Sequence, residues 1–269
     1  MGAMIPPLLL VGGGRMGGAM LAGWREAGLA PSVLVDPAPA AAALAAPDLA
    51  VVADVAAIPS GFTPGAVIFA IKPQMAAAAL PAYAPHVAGA PVLSIMAGRT
   101  IAGMRAALGA QTRVVRAMPN LPAAIREGMT VAVAGPGVTE ADRALCTRLL
   151  EAVGEVGWVA EEALLDSVTA ISGSGPAYVF LLAELLERAA CERGIPPDLA
   201  RRMARRTVAG AGALLAASAE DAAALRRAVT SPRGTTEAAL AVLMAEGAWP
   251  ALVAEAVAAA ARRAGELAG

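Results

Sequence analysis

The sequence predicts a doubly wound α/β domain followed by an all-helical domain. Three observations carry this reading. Short apolar runs alternate with helical segments up to residue 161, the pattern of a mainly parallel sheet covered on both faces. The strand signal stops from residue 162 onward. A glycine-rich turn follows the first apolar run directly and opens the first helix. The division is therefore placed at 1–161 and 162–269.

In chain order, the runs Leu8–Val11, Val33–Val35, Val67–Ala70, Val92–Ile95, Val114–Ala117, Thr130–Ala134 and Val156–Val159 read as strands. Most are rich in Val, Ile or Leu and are bounded by Gly, Pro or Asp. Between them, Met16–Ala27, Ala38–Ala46, Gln74–Leu80, Ile101–Leu108 and Glu140–Val153 read as helices. Beyond 162, Ala177–Arg193, Pro197–Ala217, Ala222–Val229, Thr235–Glu246 and Pro250–Leu267 suit helices, with Pro placed where helices start. Apolar residues on 177–193 cover more than one helical face, so that helix is expected to be buried on several sides. About a hundred residues of such helices make a thin core alone, and dimerisation through them would bury more apolar surface.

Composition narrows the chemistry. The chain has 269 residues, 58% of them hydrophobic, largely Ala, which favours closely packed helices. Of 21 basic residues, only Lys72 is a lysine. Asn120 is the sole Asn and His86 the sole His. A multi-His metal site within one chain is thereby excluded. So is a Tyr-x-x-x-Lys hydride-transfer pair, because Ile68 stands four residues before Lys72. Net charge is −1 and no Lys/Arg stripe is interleaved with aromatics, so no nucleic-acid partner is expected. The cluster Arg201, Arg202, Arg205 and Arg206 reads as a solvated or subunit-contact face. Cys146 and Cys191 are far apart and fit a reducing compartment without disulfides. There is no basic n-region before the first apolar run. The longest stretch without Asp, Glu, Lys or Arg, 73–98, holds four prolines. A soluble cytoplasmic protein without a membrane partner is expected.

The turn Gly12-Gly13-Gly14-Arg15-Met16-Gly17 fits G-x-G-x-x-G in its proper context, after a strand and before a helix. Gly12 permits the tight turn, and Gly14 lets backbone approach a pyrophosphate at the positive end of the helix starting near Met16. Gly17 lets that helix pack closely. Asp36, 22 residues after Gly14 at the end of the second strand, is placed to accept hydrogen bonds from a ribose 2′-hydroxyl and to repel a 2′-phosphate. Alone it favours NAD over NADP, whereas Arg15 is able to pair with a phosphate. Lys72 in Ala70-Ile71-Lys72-Pro73, and Asn120 after a later strand, fall at the carboxyl edge of the sheet, where ligands bind. His86 has no such placement and reads as a loop residue. Finally, Ser231-Pro232-Arg233-Gly234-Thr235-Thr236 gathers hydroxyls and fresh backbone N–H groups at a helix start. It reads equally as a helix cap or as a carboxylate site.

Together these motifs resemble the pyrroline-5-carboxylate reductase family. The carrying segments are Gly12–Gly17, Ala70–Pro73, Val114–Asn120 with Gly128-Met129-Thr130, Ser172–Phe180 and Ser231–Thr236, in family order over nearly the whole chain. The resemblance implies a Rossmann-like domain and an all-α dimerisation domain, in homodimers that in the family commonly assemble to decamers. It implies hydride transfer from NAD(P)H to the imine carbon of 1-pyrroline-5-carboxylate, giving L-proline, the last step of proline biosynthesis. By the resemblance, Ser231, Gly234 and Thr235 hold the substrate carboxylate, and Thr236 hydrogen-bonds the ring nitrogen as the catalytic residue. Gly12, Gly14, Arg15, Met16, Gly17, Asp36, Ala70, Lys72 and Pro73 belong to the cofactor site, with Ala97 and Asn120 near its nicotinamide end. Three positions depart from the family pattern. Arg233 stands where Gly is usual, Arg15 where Asn is usual, and Asp36 where many members that prefer NADPH lack an acid. The alternatives are a reductase of another cyclic imine and a nicotinamide-binding protein without turnover. A β-hydroxyacid dehydrogenase is disfavoured because no Lys follows Lys72.

Overall fold

The computed structural model describes residues 4–268. Eight strands form one sheet: β1 (Leu8–Val11), β2 (Ser32–Val35), β3 (Leu49–Val52), β4 (Ala66–Phe69), β5 (Val92–Ser94), β6 (Val114–Met118), β7 (Gly128–Ala134) and β8 (Gly154–Val159). Their spatial order is β3-β2-β1-β4-β5-β6-β7-β8. All neighbouring pairs are parallel except β6 with β7, where the chain returns over a single 3-10 turn, Leu121–Ile125. Every residue of β1, β2 and β4 is buried. That is why these strands read as near-continuous apolar runs: a parallel sheet is covered on both faces, and their one polar residue, Ser32, accepts the Leu8 N–H and donates to the Ala30 carbonyl.

Helix α1 (Arg15–Glu26) and helix α4 (Glu140–Glu151) cover one face, with Leu8, Leu10, Leu34, Ile68 and Leu93 beneath them. Trp24 on α1 is fully buried, and its Nε1 donates to the Leu149 carbonyl at 2.7 Å. The opposite face is covered by helix α3 (Ile101–Leu108) and by the segment after β4, where Phe69 meets Tyr83 edge-on at 5.5 Å between ring centroids. A capping box at Thr139 and Asp142 starts α4, and Arg113 pairs with the same carboxylate at 2.8 Å. Burial raises the Asp142 pKa, but the Thr139 and Arg113 hydrogen bonds outweigh it and hold the group below the usual carboxylate range.

Three local expectations differ from the structure. The strand β3 was not expected: Leu-Ala-Val-Val is short, lies in Ala-rich surroundings, and forms the sheet edge. The expected helix 38–46 is a 3-10 segment, Pro39–Leu44. The expected helix 74–80 is a 3-10 turn (Pro73–Met75), one turn of α-helix α2 (Ala76–Ala79) and a second 3-10 segment ending at His86. Pro81 and Pro85 lie in that second segment, where missing N–H donors prevent a continuous helix. Arg116 inside β6 is also notable. It is buried, its Nη1 pairs with Glu162 at 2.8 Å, and Glu162 also accepts from the Ile101 N–H that begins α3.

The remaining helices are α5 (Leu164–Val168), a π-turn at Thr169–Gly173, α6 (Gly175–Glu192), α7 (Pro197–Ala217), α8 (Ala222–Ala228), α9 (Thr235–Leu243) and α10 (Trp249–Ala268). Two compact units result: one runs through Gly173 and includes residues from Ala260 on, the other is Ser174–Ala259. The spatial division thus falls later than the 161/162 division read from sequence, because Leu165 and Ala170 are fully buried and Leu165 belongs to the sheet core. In the helical unit α6 packs on α7, yet among its described hydrophobic residues only Ala200 and Ala204 are buried. Phe180 is 58% exposed, and Tyr178, Leu181, Leu185, Trp249, Leu252 and Val253 border an apolar groove of about 460 Å³. The α6 side chains expected to be buried on several sides are therefore open in the single chain. The continuous helical run Leu164–Glu192 is long and apolar enough to cross a membrane.

Among the described buried side-chain atoms, Thr130 Oγ1 lacks a hydrogen-bond partner. An unpaired buried hydroxyl costs more than an isosteric methyl. Thr130→Val is expected to raise unfolding stability by about 1 kcal/mol, measured by urea titration. A comparable loss would show that the hydroxyl has a partner.

Candidate active site

The glycine turn is built by exclusion. Gly12 has φ +101°, and a Cβ there would lie 2.8 Å from the Ala70 carbonyl oxygen. A Cβ on Gly17 would collide with the Gly12 carbonyl oxygen. No side chain fits at either position, so the turn, the first turn of α1 and the end of β4 close on one another through backbone alone. Gly14 precedes α1 with no atom within 4 Å of where its Cβ would stand. No side chain caps α1, and its first turn holds no acidic residue, so its N–H groups face outward with the helix's positive end. This cradle fits a dinucleotide pyrophosphate. Arg15 is the exposed first residue of α1, and Met16 packs against the core beside it.

Asp36 closes the turn from β2. Its Oδ2 accepts the Gly13 N–H at 2.6 Å and its Oδ1 accepts the Ala38 N–H at 2.8 Å. The ladder continues past the strand ends, with Gly12 N–H donating to Val35 O, Asp36 N–H to Val52 O and Ala70 N–H to Val11 O. All four strands therefore stop at one edge, around a cavity of about 500 Å³, a normal size for a small-molecule site. Of the expected cofactor residues, Gly12, Gly14, Asp36, Ala70 and Lys72 line it. Asp54 and Tyr83, which sequence reasoning did not single out, line it too. The sequence does carry a signal for Asp54: like Asp36 it closely follows a Val-containing strand, here the short edge strand β3. Burial first, then the Asp54 charge, pushes the Tyr83 phenol up to about 12.

Further along the same edge, Lys72 is exposed and extended before Pro73, as a residue preceding proline must be. Arg99, also not anticipated, donates from Nε to the Pro73 carbonyl at 2.8 Å and so ties the Ala97–Gly98 loop to the Lys72–Pro73 loop. Ala97 is exposed in that loop. Asn120 is half-buried with its carboxamide already in use: Oδ1 accepts the Met129 N–H at 2.9 Å and Nδ2 donates to Ser172 Oγ at 3.2 Å. It fastens β6, the start of β7 and the π-turn together. Ala97 and Asn120 stand outside the glycine-turn cavity, as does His86.

In the helical unit, Ser231–Gly234 is a tight turn into α9. Gly234 N–H donates to Ser231 O at 3.0 Å, and a Cβ on Gly234 would lie 2.5 Å from Ser231 Oγ. Gly234 is itself the N-cap and no side chain caps the helix. The hydroxyls of Ser231, Thr235 and Thr236 thus do not cap α9. Arg233 has φ +59°, a left-handed conformation that favours glycine, and its N–H donates to Glu237 Oε2 at 2.6 Å.

Comparison with known proteins covers both units. A family model described as pyrroline-5-carboxylate reductase dimerisation matches residues 162–267. One described as NADP oxidoreductase, coenzyme F420-dependent, matches residues 8–98. The pyrroline-5-carboxylate reductase of Pseudomonas aeruginosa is 37% identical over 267 residues, 98% of this chain and 97% of that protein. The enzyme of that name from Arabidopsis thaliana is 39% identical over 202 residues, 75% of this chain and 72% of that protein. The solved structure of a pyrroline-5-carboxylate reductase from Coxiella burnetii matches with a TM-score of 0.90 at 30% identity, covering 98% of each chain. This chain belongs to the pyrroline-5-carboxylate reductase family.

Proposed function

We propose that the chain reduces 1-pyrroline-5-carboxylate to L-proline with NAD(P)H, the last step of proline biosynthesis. The observation that carries this is the uncapped start of α9 at Ser231–Thr236, in a chain that also holds the glycine-turn cavity. When bound, the reduced nicotinamide supplies a hydride to the imine carbon. The chain's own task is to bind, orient and exclude water. Gly12, Gly14, Arg15, Met16 and Gly17 present the pyrophosphate cradle, Asp36 the ribose contact, and Ala70, Lys72 and Pro73 the next wall. Ala97 belongs to the nicotinamide end. Asn120 serves that end as a positioning residue, since its carboxamide already binds Met129 and Ser172. The hydroxyls of Ser231 and Thr235 and the Thr235 N–H hold the substrate carboxylate, with Gly234 keeping the turn tight beneath it. Thr236 hydrogen-bonds the ring nitrogen. A cyclic imine accepts hydride best as the iminium, so positioning and one hydrogen bond to nitrogen suffice, without a nucleophile.

The working unit in this reading is a homodimer formed through the apolar faces of the helical unit, including Leu164–Glu192, with decamers as the further assembly and the cytoplasm as its location. A second reading, another cyclic imine carboxylate as substrate, is favoured by one observation. Arg233 puts a cation and a left-handed backbone in the carboxylate loop, where glycine is the family's usual residue.

Steady-state reduction of pyrroline-5-carboxylate beside a panel of other cyclic imines, with NADH and with NADPH, tests both readings. Binding of reduced nicotinamide without reduction of any imine would reject both. Thr236→Ala is expected to lower kcat by about 10²-fold with cofactor affinity retained; unchanged kcat would remove Thr236 from the chemistry. Asn120→Ala leaves the Met129 N–H unpaired, so a loss of about 2 kcal/mol in unfolding stability is expected, together with a lower kcat. An unchanged melting temperature would contradict the fastening role of Asn120.

A further inference from the structure

We propose that the cavity selects NADH over NADPH, and that Asp54 shares this selection with Asp36. The inference rests on the nicotinamide-dependent reading above. Two neighbouring strands share a common register. Val35 on β2 pairs with Val52 on β3, and the Asp36 N–H still donates to Val52 O just past that pair. Asp36 stands one residue beyond the paired position and Asp54 two residues beyond it. Adjacent strands lie about 4.8 Å apart, so two carboxylates reach the same end of the cavity from adjoining strand ends, and both line it.

Neither carboxylate is free to leave. Asp36 is held by two backbone N–H groups, one of them the turn residue Gly13. A carboxylate has about four acceptor positions, so each oxygen retains one for a ribose hydroxyl. Asp54 Oδ1 accepts the N–H groups of Ala56 and Ala57 at 2.9 and 3.2 Å, which pins the side chain and leaves Oδ2 open. Asp54 and Tyr83 stand together in the cavity wall. Against these two negative groups, Lys72 is the one cationic side chain among the described lining residues. It follows β4, separated from β2 by β1, so about 10 Å of strand spacing lies between it and Asp36. Arg15 is exposed on α1 and does not line the cavity. A ribose with a free 2′-hydroxyl meets an acceptor here. A 2′-phosphate meets two fixed like charges without an adjacent cation.

The test uses ADP-ribose and 2′-phospho-ADP-ribose, which lack the nicotinamide, titrated calorimetrically into the full chain. ADP-ribose is expected to bind at least about tenfold more tightly, with the ratio shrinking as salt rises. Asp54→Asn keeps a capping side chain for Ala56 and Ala57 and is expected to reduce the ratio severalfold; Asp36→Ser is expected to reduce it further. Equal affinities in the natural chain, or a ratio unmoved by Asp54→Asn, would overturn the proposal. So would binding of neither probe. Preference for ADP-ribose in a chain that reduces no imine would reject the proposed activity and leave the selectivity standing. Imine reduction with equal use of NADPH would do the reverse.

Discussion

The Gly17 position of α1 lies so close to the Gly12 carbonyl that no Cβ fits between them. Most of the cofactor end follows from that closeness. It brings the first N–H groups of α1 to the mouth of the sheet, and it presses the turn against Ala70 at the end of β4. It also leaves the Gly13 N–H pointing at β2, where Asp36 takes it. A side chain at Gly12 or Gly17 would separate helix from strand and dissolve the cavity, the anion cradle and the seat of Asp36 together. The sheet makes this possible because β3, β2, β1 and β4 are parallel and in register, so their carboxyl ends arrive at one edge.

The sequence made the buried centre legible and the periphery less so. Strands such as Leu8–Val11 announce themselves because burial on both faces favours apolar residues along their whole length. The edge strand Leu49–Val52 has no such constraint, and its Ala-rich surroundings gave no contrast against helix or coil. Losing that strand also lost Asp54, whose meaning depends on standing one strand from Asp36. Asn120 was found by its rarity, but its geometry is different from a bare ligand contact: it joins three chain segments before any ligand arrives. Arg99 and the buried Arg116–Glu162 pair carried no periodic signal, because their partners are 26 and 46 residues away.

The helical unit poses the opposite problem. Its helices were legible almost residue by residue from apolar spacing and Pro placement, with Pro197–Ala217 reproduced in full. What the spacing left open was who covers them. Within one chain α6 and α10 leave Phe180, Leu185, Leu252 and Val253 in the open. Burying such faces is worth about 25 cal/mol per Å², which a thin helical unit cannot forgo. The match of this segment to a dimerisation family supplies the reason for its composition. The Ala excess lets helices approach closely where large side chains are few. At Ser231–Thr236 no side chain caps the start of α9, and Gly234 stands at the N-cap position.

The proposed reduction stands or falls on where a hydride goes. NADH deuterated on the transferred face of the nicotinamide, incubated with the chain and pyrroline-5-carboxylate, should yield L-proline carrying one deuterium at Cδ, the former imine carbon, as read by NMR. Proline without deuterium, or deuterium recovered only in unreacted cofactor after prolonged incubation, would contradict it.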